Sequence, residues 1–411
     1  MLNKTIKLSQ FLIIVLTLYS CNQTSIKTEL KQANNTNAVL IADFDQLEEK
    51  DIKLSEIVDF EKLILLENSE NALLNKPSAF AYSDNYLLVT DNLNKPAKLF
   101  STDGKFLKNL GTVGRGPAEY GSVYSPIIDQ NNKQFWLLVG GNYSHLKDGW
   151  FYIYDENGDF LKELEMPFLK HEKRNINNAL LLKNQIIVAG NTSSEYLLAY
   201  ANTDGQNVTE FPNRFPTDYF TYLVNISHVI PTDGENQLLC HLGETDTVFS
   251  INLKDTTISP KIIIKNEKHK FNADKIKQAR KNRNFAEIVK ASSGGYSIEL
   301  KGETDKYFLF FVRVAGKQTE YKEIFVDKAS GKCFTGKIIN DLLNDAPIDN
   351  LDYLYQNDYL FLHFPAYKFS SLMSEKDNIH PEITAKINSL SEPLTDEDND
   401  VILVCKLKKG R

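Results

Sequence analysis

Apolar and polar residues alternate over most of this chain, in short runs that end at Gly, Asn or Asp. Runs of this kind predict half-buried β-strands joined by tight turns. Few stretches show the 3.6-residue period of an amphipathic helix. The pattern therefore predicts an all-β protein.

The strand pattern also repeats. Each unit consists of one strand, a longer loop, and a hairpin closed by a Gly-containing or Asp-led turn. The first unit begins with NYLLVT and the second with QFWLLVGG, and we expect these opening strands to be the innermost strands of their blades. Five full units and the partial unit NDYLFLHF give a period of about 55 residues, which is typical of propeller blades. We predict a six-bladed β-propeller, with a sandwich or barrel as the alternative.

A ring of blades must close on itself, and the two ends of the chain supply candidate strands. VDFEKLILLEN, residues 58–68, and NDVILVCKLKK, residues 399–409, are strand-like and have no obvious local partner. Joined to the partial sixth unit, they would complete its sheet and leave no unpaired edge at the closure. The ring is therefore predicted to close through N- and C-terminal strands.

Two stretches predict short helical insertions. NADKIKQARKNRNFAEIVKAS has Asn272 as its N-cap and precedes the fifth blade, and HPEITAKINSL has Pro381 in its first turn and precedes the closing strand. We interpret the basic residues 275–283 as the solvated side of a helix. Its apolar residues are Ile276, Ala279, Phe285 and Ile288.

The first twenty residues have the layout of a secretory signal peptide: two lysines, a short apolar run and a small-residue end. LYSC resembles a bacterial lipobox, so Cys21 is predicted to carry a lipid anchor, with a plain secreted protein or an uncleaved anchor as alternatives. Residues 21–38 form a polar tether, and residues 39–411 form the propeller. Since NQTSIK after Cys21 contains no acidic residue, we favour the periplasmic face of the outer membrane.

Composition narrows the set of partners. The chain has 411 residues, 42% of them apolar, and removal of the two signal-peptide lysines from its 47 basic and 54 acidic side chains leaves a net charge of −9. A chain this acidic is unlike a nucleic-acid-binding protein. Cys240, Cys333 and Cys405 are too far apart in sequence to suggest a disulfide framework, and we assign them no chemistry.

The segment GTVGRGPAEYG, residues 111–121, is here named the glycine loop. It is too long for a hairpin and is predicted to cross from the outer strand of blade 1 to blade 2. Glycines allow the bends, Arg115 and Glu119 fix the loop by pairing with each other or with the backbone, and Tyr120 packs inward. The alternative is that Arg115 binds an anionic ligand.

GTVGRGPAEYGSVYSP resembles the glycine-rich connection of NHL-type propellers, and in particular the GRGPGEF form found in six-bladed β-propeller lipoproteins of Gram-negative bacteria. Ala118 and Tyr120 stand where glycine and phenylalanine are more usual. Segments near residues 53–74, 243–251 and 398–409 are similar to the same family. The resemblance implies a six-bladed propeller on a lipidated, exported protein, and it implies no activity.

No hydrolase elbow, zinc-protease motif or phosphate-binding lysine motif is present, and we predict no cofactor. Propellers bind ligands with loops at one end, and we expect such loops here to contact a protein, peptide or glycan. A metal-assisted lyase or hydrolase is the alternative, because His241 and His363 follow runs assigned to inner strands and could approach the axis. The candidate aromatic ligand residues are Tyr143, Trp150, Tyr152, Tyr219 and Tyr222.

Overall fold

The fold is that of a computed structural model. It describes residues 39–91, 95–116, 118–140, 150–165, 179–189, 196–212, 227–232, 236–242, 245–316, 320–348, 353–374, 378–390 and 392–410. Within these ranges, no helix combines the length and apolar character that crossing a membrane requires.

Four strands and one helical turn precede the first blade. None of the four forms a sheet with its immediate neighbour in sequence, since each joins a sheet formed by residues much later in the chain. They are β1 (Leu40–Asp43), β2 (Glu48–Glu49), β3 (Ile52–Lys53), helix α1 (Leu54–Ile57) and β4 (Val58–Leu65).

Blades 1 to 3 are four-stranded antiparallel sheets in simple sequence order. Blade 1 contains β5 (Ala79–Tyr82), β6 (Tyr86–Thr90), β7 (Ala97–Ser101) and β8 (Phe106–Leu110). The short pair β9 (Thr112–Val113) and β10 (Glu119–Tyr120) follows within the glycine loop. Blade 2 contains β11 (Ser122–Asp129), β12 (Gln134–Gly140), β13 (Trp150–Tyr154) and β14 (Phe160–Glu165). Blade 3 contains β15 (Ala179–Leu182), β16 (Gln185–Ala189), β17 (Tyr196–Asn202) and β18 (Thr209–Pro212).

Blades 4 and 5 each gain a fifth, outermost strand from the start of the chain. β1 lies parallel to β22 in blade 4, and β2 lies parallel to β26 in blade 5. Blade 4 contains β19 (Ser227–Pro231), β20 (Gln237–Leu242), β21 (Thr247–Asn252) and β22 (Thr257–Lys265). Blade 5 contains β23 (Tyr296–Glu303), β24 (Tyr307–Val314), β25 (Glu320–Asp327) and β26 (Cys333–Gly336). The sequence pattern had not predicted these added strands.

Blade 6 confirms the predicted ring closure. Its strands are β29 (Tyr353–Gln356), β30 (Tyr359–Phe364), β31 (Val401–Leu407) and β4, in that order. The C-terminal β31 pairs with the N-terminal β4 along its length, from Val401 opposite Leu65 to Leu407 opposite Val58. The structure is thus the predicted all-β six-bladed propeller.

The predicted helices are also present. The first insertion forms a helix pair, α2 (Ala273–Lys281) and α3 (Phe285–Ser292), with Asn272 Oδ1 accepting a capping hydrogen bond from Lys275 N at 3.0 Å. The second contains α5 (Pro381–Asn388), preceded by the unpredicted α4 (Ala366–Ser374). A small sheet of β27 (Ile338–Asn340), β28 (Ala346–Pro347) and β3 joins blades 5 and 6.

One detail of the predicted blades was wrong. NYLLVT and QFWLLVGG correspond to β6 and β12, which are second strands, and the innermost strands are β5 and β11. First strands of neighbouring blades contact one another around much of the ring. β11 escaped detection because Ser122, Ser125 and Asp129 interrupt its apolar pattern, although all three are buried. A strand that is covered on both faces need not alternate.

The antiparallel order puts two kinds of connection at the same end of every blade. One connects the second and third strands of the blade, and the other runs from its fourth strand to the next blade. We name this end of the ring the loop face. It carries the glycine loop, the α2–α3 pair and the α4–α5 insertion. The opposite end has short turns such as Asp103–Gly104.

The hydrophobic core lies between neighbouring blades. Blades 1 and 2, for example, share a cluster that includes Leu88, Leu99, Leu137 and Tyr154. The three cysteines beyond Cys21 are free and buried in such layers, as the sequence predicted for Cys240 and Cys405. Since each blade packs against the next across an apolar layer, the ring is a rigid support for its connections.

Candidate functional site

The glycine loop crosses from β8 to β11 as predicted. Within it β9 and β10 pair in parallel, and Gly114 N donates to Tyr120 O at 3.1 Å. Gly116 N donates to Glu119 Oε2 at 2.6 Å, and Glu119 N donates to Gly116 O at 3.2 Å. The loop therefore binds its own carboxylate at the backbone N–H where an external anion would otherwise bind.

The glycines act in different ways. Gly111 has a φ of +69°, a left-handed conformation that glycine adopts without strain. Gly114 is outside that region, but a Cβ there would collide with the Glu119 carboxylate. The positive φ that the sequence suggested for Gly114 and Gly116 belongs instead to Ala118, at +59°. This explains why glycine is the more usual residue at that position of the motif.

Tyr120 packs inward, as predicted, and is 1% exposed. Its hydroxyl donates to Leu110 O at 2.5 Å and accepts from Ala97 N at 2.9 Å. Burial raises the pKa of Tyr120 far above its usual value, so the hydroxyl remains a donor. These two hydrogen bonds account for tyrosine in place of the more usual phenylalanine, because they satisfy the backbone where blade 1 ends.

Arg115 and Glu119 differ in exposure. Arg115 is exposed on the loop face. Glu119 is half-buried, and its carboxylate accepts the hydrogen bond from Gly116 N. Of these two loop residues, Arg115 is the more exposed. A guanidinium on a loop with fixed geometry can bind a carboxylate or phosphate with little loss of backbone entropy.

The aromatic candidates are distributed unevenly. Tyr143, Tyr219 and Tyr222 lie outside the described residues, in segments whose flanking strands end and begin at the loop face. Trp150 begins β13. Tyr152 is 4% exposed, and its hydroxyl donates to Glu119 O at 3.2 Å. It supports the glycine loop from the interior.

The two histidines lie on β20 and β30, the second strands of blades 4 and 6, not on the innermost strands that the sequence had suggested. His241 is fully buried, with Nε2 3.0 Å from Thr245 O, and burial lowers its pKa to about 4. His363 Nδ1 lies 3.4 Å from Asp400 Oδ2. Blade 5 separates the two blades, and each imidazole has its own local partner.

Among the described residues, no group of three or more His, Cys, Asp or Glu side chains is placed to hold a metal ion. The pair His241 and His363 therefore gains no third ligand from these residues.

Sequence analysis missed a buried acidic cluster in blade 5. Glu299, Phe311 and Glu323 lie directly opposite one another on β23, β24 and β25, so they share one face of the sheet. Glu299 and Glu323 are 3% and 4% exposed. Lys301 Nζ lies 2.6 Å from Glu299 Oε2 and 5.4 Å from the centre of the Phe311 ring. Glu299 is thus paired with Lys301.

Glu323 is in a different state. Neither of its carboxylate oxygens has a hydrogen-bond partner among the described residues. Burial raises the pKa of Glu323 to about 8; the positive charge of Lys301 opposes this effect and the negative charge of Glu299 adds to it. Burial also raises the pKa of the Tyr355 hydroxyl, on β29 of blade 6, and a negative charge on Glu323 adds to this effect. The raised pKa favours the protonated form of Glu323, which can donate a hydrogen bond.

The sequence did contain a signal for this cluster. Glu299 is flanked by Ile298 and Leu300, and Glu323 precedes the apolar run IFV. In a two-faced sheet such acidic positions look like the solvent side of an alternating strand. In a propeller the inner strands of a blade are covered on both faces, so an acid in the middle of such a strand can be buried. Strongly shifted pKa values of this kind often mark functional groups.

Comparisons with known proteins agree with the architecture. A solved structure from Bacteroides fragilis, of a protein whose name describes it as exported, is 16% identical with a TM-score of 0.60 and covers 90% of this chain and 100% of its own. A member of the DUF4221 family from Bacteroides vulgatus is 12% identical with a TM-score of 0.49 and covers 86% of this chain and 98% of its own. No curated protein matches the sequence.

The likeness to the B. fragilis structure shows a shared fold at this level of identity. The sequence match that identifies the family spans residues 39–406, from the residue before β1 to the penultimate residue of the closing strand. The chain belongs to the family described as a domain of unknown function, DUF4934.

Proposed function

We propose that the protein is a lipid-anchored extracytoplasmic binding module that holds a protein, peptide or glycan partner at its loop face. The observation that carries the proposal is the placement of Arg115. Arg115 is an exposed residue of a loop that Glu119 and Tyr120 fix through hydrogen bonds to the backbone. A rigid scaffold that presents loops at one end is the usual basis of recognition in such folds.

Three further features support this proposal. The remaining connections of the loop face include the segments with Tyr143, Tyr219 and Tyr222, and aromatic residues suit contacts with peptides and sugar rings. LYSC and the polar tether support lipidation at Cys21. The resemblance to lipoprotein propellers of Gram-negative bacteria supports the same location, at the periplasmic face of the outer membrane.

The experiment measures binding of the full-length protein in mild detergent to panels of peptides and of acidic and neutral glycans. For each ligand found, Arg115→Glu is compared with Lys105→Glu. Lys105 is also exposed but belongs to a turn at the opposite end of blade 1. We expect Arg115→Glu to weaken binding at least tenfold because it reverses the charge offered to an anionic group.

Lys105→Glu should change the same affinity less than twofold, since the net charge changes equally but the loop face does not. A ligand whose affinity fell with Lys105→Glu and not with Arg115→Glu would place the binding surface at the other end and contradict the proposal. Thermal unfolding of both variants separates lost binding from lost structure.

A further inference from the structure

The α2–α3 helix pair has a charge opposite to that of the protein as a whole. Nine basic and three acidic side chains lie between Lys265 and Lys290, in a chain with an overall excess of acidic residues. Most of the basic residues on the helices are exposed, among them Lys275, Lys281 and Lys290. The pair therefore forms a concentrated positive surface.

The apolar residues of the helix pair divide into two groups. Ile276, Ala279 and Ile288 are buried. Phe285, which the sequence placed with them, is instead 59% exposed, and Val289 is 41% exposed. Residues four apart lie on the same side of a helix, so Phe285 and Val289 form an exposed apolar stripe. Bulky apolar side chains among lysines are typical of helices that lie in a membrane interface.

The helix pair is held firmly at its base. The His269 and Tyr296 rings stack with their centres 4.0 Å apart, and Tyr296 N donates to His269 O at 2.8 Å. Gly294 N donates to Ala315 O at 2.6 Å. The charged and apolar side chains are thus presented on a fixed support.

The segment that follows β1 is fixed to the same corner. Asp45, two residues after β1, accepts hydrogen bonds from Glu267 N at 2.8 Å and from Lys268 N at 2.9 Å. Seventeen residues separate Cys21 from Val39. A flexible chain of that length spans about 20–25 Å on average. A membrane that held a lipid on Cys21 would be within reach of the helix pair.

We propose that the α2–α3 pair docks on an anionic membrane surface. Its lysines and arginines contact lipid phosphates, and Phe285 and Val289 enter the interface between headgroups and acyl chains. Only the reach of the tether depends on the proposed lipid anchor; the charge and the exposed stripe do not. The test therefore uses protein without a lipid.

The test is cosedimentation of the mature chain, from residue 21 and with Cys21→Ser, with vesicles of phosphatidylcholine alone or with 30% phosphatidylglycerol. We expect partitioning at least tenfold stronger onto the anionic vesicles, decreasing with salt. Lys275→Glu, Lys281→Glu and Lys290→Glu together should abolish this preference. Phe285→Ser alone should weaken partitioning severalfold.

The matched control reverses three exposed lysines on blades 1, 2 and 4: Lys105→Glu, Lys162→Glu and Lys254→Glu. If this control lost the preference for anionic vesicles to the same extent, the attraction would depend on overall charge and not on the helix pair, which would overturn the proposal. The proposal also fails if the protein binds neutral and anionic vesicles equally. It fails as well if inorganic phosphate, at the same phosphate concentration, displaces the protein from the vesicles. Tighter binding of the protein to polyglutamate than to the vesicles would contradict it too. Unchanged melting temperatures verify that all variants fold.

Discussion

At the scale of single residues, the conformation of the glycine loop strains Ala118. Ala118 has a φ of +59°, a region where an L-residue with a Cβ is strained by about 1–2 kcal/mol. The loop keeps this geometry because Gly116 N holds the Glu119 carboxylate and Tyr120 is fixed in the core. The strain is therefore offset by its neighbours.

Replacing Ala118 with glycine should stabilise the protein by about 1 kcal/mol, because it removes the strain while adding some flexibility to the unfolded chain. The matched control is Ala286→Gly on helix α3, where the same change should destabilise by about 1 kcal/mol. Denaturant midpoints measure both. A loss of stability in Ala118→Gly equal to that in Ala286→Gly would mean that no strain is stored in the loop.

Glu323 gives a prediction of pH dependence. Burial raises its pKa to about 8 in the folded chain, from an ordinary value of 4.5. Between these values only the folded chain keeps the proton, so unfolding releases it and stability falls as pH rises. The bound proton makes its full favourable contribution to the free energy of unfolding below about pH 4.5 and none above about pH 8. Between these values the free energy of unfolding falls by about 1.4 kcal/mol per pH unit.

Glu323→Gln should remove this slope and be more stable than the wild type at pH 8, because the amide cannot ionise. Glu61→Gln, at an exposed position on β4, should keep the wild-type slope. Unfolding midpoints from pH 5 to pH 9 test both. A Glu323→Gln profile parallel to that of the wild type would show that Glu323 titrates as an ordinary surface acid.

At the scale of elements, the sequence predicted the strands and helices that depend on local patterns. The closing strands 58–65 and 401–407 were evident from alternation alone, and Asn272 and Pro381 marked two helix starts. The innermost strand β11 was missed because burial on both faces removes alternation. The fifth strands β1 and β2 were missed because their pairing is with residues more than two hundred positions away.

The same reasoning explains which site residues were predicted. Arg115, Glu119 and Tyr120 could be placed because a short loop between two strands fixes their surroundings. Glu299 and Glu323 could not, since their burial depends on blade 6 covering blade 5 and their shared face depends on register across three strands. Phe285 was grouped with the apolar residues of the helix, because helical periodicity identifies an apolar side and does not show how much of each side chain the fold buries.

At the scale of the whole molecule, the two proposed surfaces are compatible. The α2–α3 pair lies between blades 4 and 5, and the glycine loop lies between blades 1 and 2. In a six-bladed ring these positions are three blades apart, on opposite sides. Docking through the helix pair would hold one side of the ring at the membrane and leave Arg115 on the side away from it.

The lipid anchor itself gives the last prediction. Cys21 lies outside the described residues, so its role rests on the apolar run before it and the polar tether after it. Cys21→Ser removes the only proposed lipid attachment, and the variant should leave the membrane fraction once a high-salt wash has screened the α2–α3 charges. Cys333→Ser, a matched change at a buried cysteine, should remain in the membrane fraction like the wild type. Intact mass should show lipid on the wild type and none on Cys21→Ser, so a Cys21→Ser protein that kept the wild-type location and modification would exclude Cys21 as the anchor.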